Sequence, residues 1–422
     1  MINDLPAVAE FVRIPDLHDE REYDHPQSRM QQTVAEFFAG IGLMRMGLER
    51  AGWKVVWAND IDVDKKAIYD GHFKDVEEHF VLGDVHQISV TTVPPVSLAT
   101  ASFPCTDLSL AGARRGLAGQ GSGAFWGFIR VIKGMGPMRP PIVLLENVTG
   151  FLTSHGGQDF RDACLALNKL GYAVDTFIVD ASKFVPQSRQ RLFVVGHLPP
   201  NRSFVAENPP SFFEGPCRPA ALADFILLNS DINWDIRSLP APPLRSTSLQ
   251  DIVENPPKNS PLWWSDERAG YLLSQMSQKH REEAERMISA CRITYGTVFR
   301  RVRNGQSMAE LRTDGVAGCL RTPRGGSGRQ ILFMAGCGRY GVRLLTPREC
   351  ARLMGADDFN LSPEVSPNQA LFGFGDAVCV PVVEWIAENY LRPLARELGG
   401  GADAYLPAQM TKRSRKAAMV PT

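Results

Sequence analysis

The chain has 422 residues, 44% hydrophobic and 22% charged, which supplies a sizeable core and excludes a wholly disordered polypeptide. At roughly 150 residues per domain, that length suggests two or three domains. Lys plus Arg and Asp plus Glu both total 46, so net charge alone points to no acidic partner. No apolar run approaches the ~18 residues of a membrane helix. Asp4 and Glu10 stand where a secretory signal carries basic residues, so the reading is a soluble, cytoplasmic protein without a membrane partner.

Residues 1–32 hold seven acids against three bases and read as a leader, partly disordered. A regular rhythm follows. Thr33–Phe38 is a short apolar strand ending in the glycine turn Gly40-Ile41-Gly42, and Leu43–Ala51 has helical spacing. Lys54–Ala58 is a second strand closed by Asn59-Asp60, Val63–His72 a helix, and Val81–Gly83 a short strand before Asp84. Val96–Ser102 is another strand, and the loop after it carries five glycines between Thr106 and Gly123. Phe125–Gly134 is helical, Ile142–Leu145 a buried strand and Asp159–Gly171 an amphipathic helix. Ala173–Asp180 and Arg191–Gly196 form a closing antiparallel pair. The expected fold of residues 33–197 is therefore α/β, a mostly parallel, Rossmann-like sheet with helices on both faces.

After His197 the alternation stops. Residues 199–262 are rich in proline, one helix falls near Lys279–Cys291, and short strands and turns run to Gly341. This predicts a second, smaller and irregular domain over 198–344. From Arg292 to Arg348 there are eleven arginines, no lysine and two acids, which suits a phosphate-binding face; the plainer alternative is a solvated surface. Leu345–Met354 reads as a short helix opening at Pro347. Val380–Tyr390 is an apolar helix, so residues 345–398 return to complete the first domain, and 399–422 form a disordered basic tail. None of the eight cysteines is paired as C-x-x-C, which argues against a zinc knuckle or redox pair, and no metal is expected.

The residues that carry chemistry lie at strand ends. Phe38-Ala39-Gly40-Ile41-Gly42 brings backbone close to a ligand at the sheet's carboxyl edge. Asp60 is placed to accept from ribose hydroxyls and Asp84 from an adenine amino group. Arg45 stands where the dinucleotide fingerprint needs a third glycine, which favours a nucleoside cofactor without a pyrophosphate. Cys105, preceded by Pro104 and opening the glycine-dense loop, is a better nucleophile candidate than the other cysteines, most of which serve packing. Glu146, directly after four apolar residues, faces the same cleft if adjacent strand ends lie ~5 Å apart; burial then raises its pKa and suits proton donation. A helix-capping or ion-paired acid is the alternative. Alternation points Arg189 and Arg191 to one face, suiting an anion or base edge, or else surface pairing.

In their order, these segments resemble the DNA (cytosine-5) methyltransferase family. The matching stretches are Phe37–Gly42, Asn59-Asp60, Gly83-Asp84-Val85, Phe103-Pro104-Cys105, Glu146-Asn147-Val148, Gln187–Arg191 and Gly375-Asp376-Ala377-Val378, with Arg321–Gly326 resembling the segment after the family's target-recognition region. The resemblance implies S-adenosylmethionine as cofactor and duplex DNA as partner, bound by a monomer near the nucleoid, with residues 198–344 as target-recognition domain. Phe38, Gly40, Gly42 and Pro104 would line the methionine end, with Asp60 on ribose, Asp84 and Ile61 at the adenine, and Asp376 and Val378 closing the pocket. Cys105 would be the nucleophile and Glu146 the group on the cytosine edge, supported by Arg189 and Arg191. Ser109, Arg114, Arg115, Arg321 and Arg324 would contact DNA.

The chemistry needs such a set. Thiolate addition at cytosine C6 makes C5 nucleophilic, and the base must first leave its stack. The sequence departs from the family pattern in three places. Gly121-Ser122-Gly123 replaces Ser-Arg-Gly in the loop, which removes an expected DNA contact that Arg114 or Arg115 would have to supply. Ile61 replaces a large aromatic, and Asp376 replaces asparagine. The alternatives are the same chemistry on transfer RNA, as in a modification enzyme of that substrate, a catalytically silent DNA-binding module, and an NAD oxidoreductase.

Overall fold

The structure is a computed structural model describing residues 31–75, 79–104, 116–119, 123–198, 213–303, 305–322 and 329–399. The first half runs β1 (Thr33–Phe37), α1 (Leu43–Arg50), β2 (Lys54–Asp60), α2 (Val63–His72), β3 (Phe80–Leu82), β4 (Leu98–Ala101), α3 (Ala124–Gly134), β5 (Ile142–Val148), α4 (Gln158–Lys169), β6 (Ala173–Asp180) and β7 (Gln190–His197). The strands form a seven-stranded sheet in the order β3-β2-β1-β4-β5-β7-β6. Pairing is parallel from β3 through β5, while β7 runs antiparallel to both β5 and β6. The order reverses between β1 and β4, the position where open α/β sheets place their ligands.

Strand burial explains the layers. Val34, Leu98, Ile142 and Leu144 join α1 and the C-terminal helices in one apolar cluster. Ala35, Phe37, Ala99, Val143 and Leu145 join α3 and α4 in a second cluster. Successive residues thus face opposite helical layers, as strands buried on both sides require. The helices expected from sequence are present within one or two residues at each end. β5 extends three residues beyond the expected Leu145, so Glu146 lies inside a strand rather than after one.

The second half contains α5 (Ala220–Leu228), α6 (Leu249–Ile252), α7 (Asp266–Ser274), α8 (Gln278–Ser289), β8 (Thr294–Arg303), β9 (Gln306–Arg312), β10 (Ile331–Gly336), β11 (Arg339–Leu344), α9 (Pro347–Leu353), α10 (Pro367–Asp376), α11 (Val380–Ile386) and α12 (Arg392–Gly399). β11-β10-β8-β9 is a regular antiparallel sheet, with α7 and α8 packed on it through Leu272, Met276, Ala284 and Met287. Phe213, Leu222, Ile226, Trp234 and Ile236, which the sequence groups with the second unit, pack into the α3–α4 layer of the first sheet. The Arg343–Glu349 pair is fully buried at 2.5 Å and ties β11 to α9. The helical run Pro367–Gly399 is long and apolar enough to be weighed as a membrane span, but 67% of its most apolar window is buried inside the fold.

Candidate active site

Sheet register lines up the motif residues. Phe37 pairs with Asn59 on one side and Ala101 on the other, so Phe38, Asp60 and Ser102 leave the sheet side by side. Asp60 pairs with Leu82, two residues before Asp84, and Ala101 pairs with Leu145, which sets Ser102 next to Glu146. Because β7 is antiparallel, its first residues reach the same edge: Val148 pairs with Arg191. Hydrogen-bonded neighbours at about 4.8 Å spacing therefore gather residues from six chain segments along one edge.

Glu146 is 6% exposed. Burial raises its pKa above the ordinary glutamate value, opposed by the Arg191 and then the Arg189 charge. Arg191 Nε lies 2.9 Å from Glu146 Oε1. Next along β5, Asn147 Nδ2 donates to the Phe103 carbonyl at 3.1 Å, fixing the segment that leads into Pro104. Arg189 lies near the same carboxyl, since its charge acts on Glu146 beside that of Arg191, and it is anchored by backbone as well. It precedes β7, and its guanidinium donates to the carbonyls of Leu320, Gly375 and Ala377. It is 2% exposed and clamps the second unit and α10 against the first sheet. Gln187 adds to this joint, donating to the Leu353 carbonyl at 2.8 Å and accepting from the Leu320 amide at 2.9 Å.

The turn after β1 is sterically specific. Phe38 has φ 59°, an uncommon region for a side-chain-bearing residue. Among the described residues, a Cβ on Gly40 would meet nothing within 4 Å, so the backbone there is open to a ligand. A Cβ on Gly42 would sit 2.3 Å from the Phe73 ring; that glycine serves α1–α2 packing rather than ligand approach. Asp60 accepts from the Gly40 amide at 2.8 Å and the Asp62 amide at 2.9 Å, shaping the turn itself. Asp84 accepts from the His86 amide. Ile61 is 66% and Leu82 43% exposed, an apolar shelf at the sheet edge. Asp376 pairs with Lys65 at 2.9 Å, and Val378 is buried in the core beside it.

Comparison with known proteins decides the family. A family model described as C-5 cytosine-specific DNA methylase matches residues 32–392. The chain belongs to the C-5 cytosine-specific DNA methylases. It is similar to the Type II methyltransferase M.Bsp6I of Bacillus sp. (strain RFL6), 25% identical over 86% of this chain and 99% of that one. It is likewise similar to the Type II methyltransferase M.HhaI of Haemophilus parahaemolyticus, 25% identical over 84% of this chain and 92% of that protein. The crystal structure of S. pombe Dnmt2 methyltransferase shares the fold, with TM-score 0.55 at 18% identity, covering 86% of this chain and 98% of the other.

Several expected residues of the methylase lie outside the described residues: Cys105, Ser109, Arg114, Arg115, Arg324, the leader up to residue 30 and the tail from residue 400. Arg321 is exposed, and its backbone abuts Gly375, where a Cβ would approach to 2.7 Å. The arginine-rich segment is less uniform than its composition. Arg343 is sealed against Glu349, and Arg312 is held by Asp314 at 2.8 Å, whereas Arg301 and Arg339 are exposed. Sequence reading gave no separate role to Asn147, Gln187 or Lys65. The first two stood inside quoted motifs, but Lys65 carried no local signal.

Proposed function

We propose that this methylase transfers a methyl group to C5 of cytosine in duplex DNA, as the modification enzyme of a bacterial restriction system, with Cys105 as nucleophile. The observation that carries the reading is the buried Glu146, held by Arg191 one strand away from the Ser102-Phe103-Pro104 segment that runs into Cys105. S-adenosylmethionine, when bound, supplies the electrophilic methyl group. The open backbone at Gly40 and the Ile61–Leu82 shelf suit its nucleoside, and Asp84 its adenine amino group.

The Cys105 thiolate adds to C6 of a base extruded from the duplex, forming an S–C6 bond and opening the C5–C6 double bond. Glu146, whose carboxyl is pushed toward the protonated form by burial, shares a proton with N3 and withdraws electrons during addition. With the methyl group on C5, H5 passes to a water molecule, and the C5–H electrons re-form the C5–C6 double bond as the S–C6 bond breaks and the thiolate leaves. Arg191 orients Glu146, and its charge only partly offsets the upward pull of burial on the carboxyl pKa. Exposed arginines on the second unit, Arg301, Arg321 and Arg339, suit the phosphate backbone. DNA, rather than RNA, agrees with the family description and the Type II relatives.

Bisulfite sequencing of DNA and RNA from cells expressing the protein tests this. Protected cytosines in one DNA context are expected, and none with Cys105→Ser. Protection confined to transfer RNA, with fully convertible DNA, would overturn the DNA assignment.

A further inference from the structure

We infer that Lys65 and Asp376 together recognise the zwitterionic amino-acid end of the cofactor, Lys65 taking the carboxylate and Asp376 the ammonium. This rests on the cofactor reading given above. The family's usual residue at position 376 is asparagine, and a lone carboxylate there repels a ligand carboxylate. In this chain a lysine answers it: Lys65 Nζ lies 2.9 Å from Asp376 Oδ2.

The pair is positioned by structure on both sides. Asp62 caps α2 by accepting from the Asp64 and Lys65 amides, which sets Lys65 in the first turn facing α10. Gln369 donates to Asp64 at 3.0 Å, so α10 lies along the same end of α2. Asp376 closes α10, one residue after Gly375, whose carbonyl is held by the buried Arg189. Across the turn, Asp60 is fixed by the Gly40 amide where the backbone is open to a ligand. Burial alone pulls the Lys65 ammonium down, but Asp376, Asp60 and Asp62 outweigh it and keep the lysine charged. One ammonium among carboxylates, beside the glycine turn, is complementary to a ligand end that carries one charge of each sign. Both side chains keep partial solvent access, 23% for Lys65 and 42% for Asp376, so the pair opens toward a ligand without unpacking a core.

Calorimetric titration separates this role from a helix-to-helix latch. The probes are S-adenosylhomocysteine and its decarboxylated analogue, which keeps the nucleoside, thioether and ammonium. For Lys65→Gln the expected result is at least a tenfold weaker Kd for S-adenosylhomocysteine and a Kd within twofold of the unsubstituted protein for the analogue. Retained analogue binding also shows that the variant is folded. Equal weakening of both probes, or no change in either, overturns the inference and leaves the pair as a latch. If the unsubstituted protein binds neither probe, the cofactor reading itself falls, and this assignment with it.

Discussion

Arg191 Nε lies 2.9 Å from Glu146 Oε1, and the two side chains are only 14% and 8% exposed. The relationship has opposite effects on geometry and protonation. Arg191 fixes the carboxyl group, yet its charge lowers a pKa that burial raises. Glu146→Gln keeps the shape but removes the titrating proton, and turnover should fall by about 10²–10⁴-fold, as loss of a general acid does. Arg191→Gln should lower turnover and also move the alkaline limb of the pH–rate profile upward, since a charge favouring the ionised acid is gone. Both follow from steady-state rates across pH.

Arg189 makes a separate stability prediction. Its removal leaves the buried Gly375 carbonyl and the part-buried Ala377 carbonyl without this donor, and the Leu320 carbonyl with only the Cys319 thiol. Each such orphan costs roughly 1–3 kcal/mol, so Arg189→Met should lower the thermal midpoint strongly. Arg189→Lys should rescue little, because one ammonium does not reproduce the planar fork. Differential scanning calorimetry reads both.

The two glycines of the first turn should respond differently. Gly42→Ala drives a methyl to 2.3 Å from the Phe73 ring at φ 86°, combining a clash with an unfavourable backbone. It should cost at least about 3 kcal/mol, the scale of a severe core defect. Gly40→Ala meets nothing within 4 Å among the described residues and carries only the left-handed backbone penalty of roughly 1–2 kcal/mol. Urea denaturation of the two variants gives the ordering.

Glu36 on β1 is 1% exposed, and among the described residues no side-chain or backbone partner is placed at hydrogen-bond geometry to its buried carboxyl oxygens. Burial pushes its pKa up to about 8, opposed chiefly by Arg45. The folded state therefore keeps a proton that the unfolded chain releases. The associated stability is fully present below the ordinary value of 4.5 and is lost as pH rises to about 8. At ~1.4 kcal/mol per pH unit the loss is on the order of 5 kcal/mol. Glu36→Gln, which does not ionise, should flatten the fall in stability between about pH 5 and about pH 8.5, measured by denaturant titration.

The sheet was legible because its central strands β1, β4 and β5 are mostly apolar and buried on both faces, and motif residues stand at or just after the ends of their apolar runs. Phe38, Asp60, Asp84, Pro104 and Glu146 were found from that pattern, and the register then brought them together. Arg189 and Arg191 read onto one face, and both charges act on Glu146; the carbonyls that Arg189 holds were invisible because they lie 131 to 188 residues further along the chain. The Lys65–Asp376 pair was invisible because its members stand 311 residues apart and each alone is an ordinary surface charge. Arg343 looked like part of a basic face because composition does not distinguish an arginine facing solvent from one sealed against Glu349. Residues 213–236 read as part of the second domain because prolines break the alternation after His197, although their apolar side chains pack into the first sheet's α3–α4 layer.

The covalent step is tested most directly by trapping. A randomised duplex library containing 5-fluorocytosine, incubated with the protein and S-adenosylmethionine, blocks removal of the C5 substituent and so halts elimination of the thiol. The expected result is a denaturant-resistant protein–DNA adduct whose cross-linked peptide maps to Cys105, absent with Cys105→Ser. An enzyme that methylates ordinary DNA yet forms no adduct, or an adduct that persists in Cys105→Ser, would contradict it.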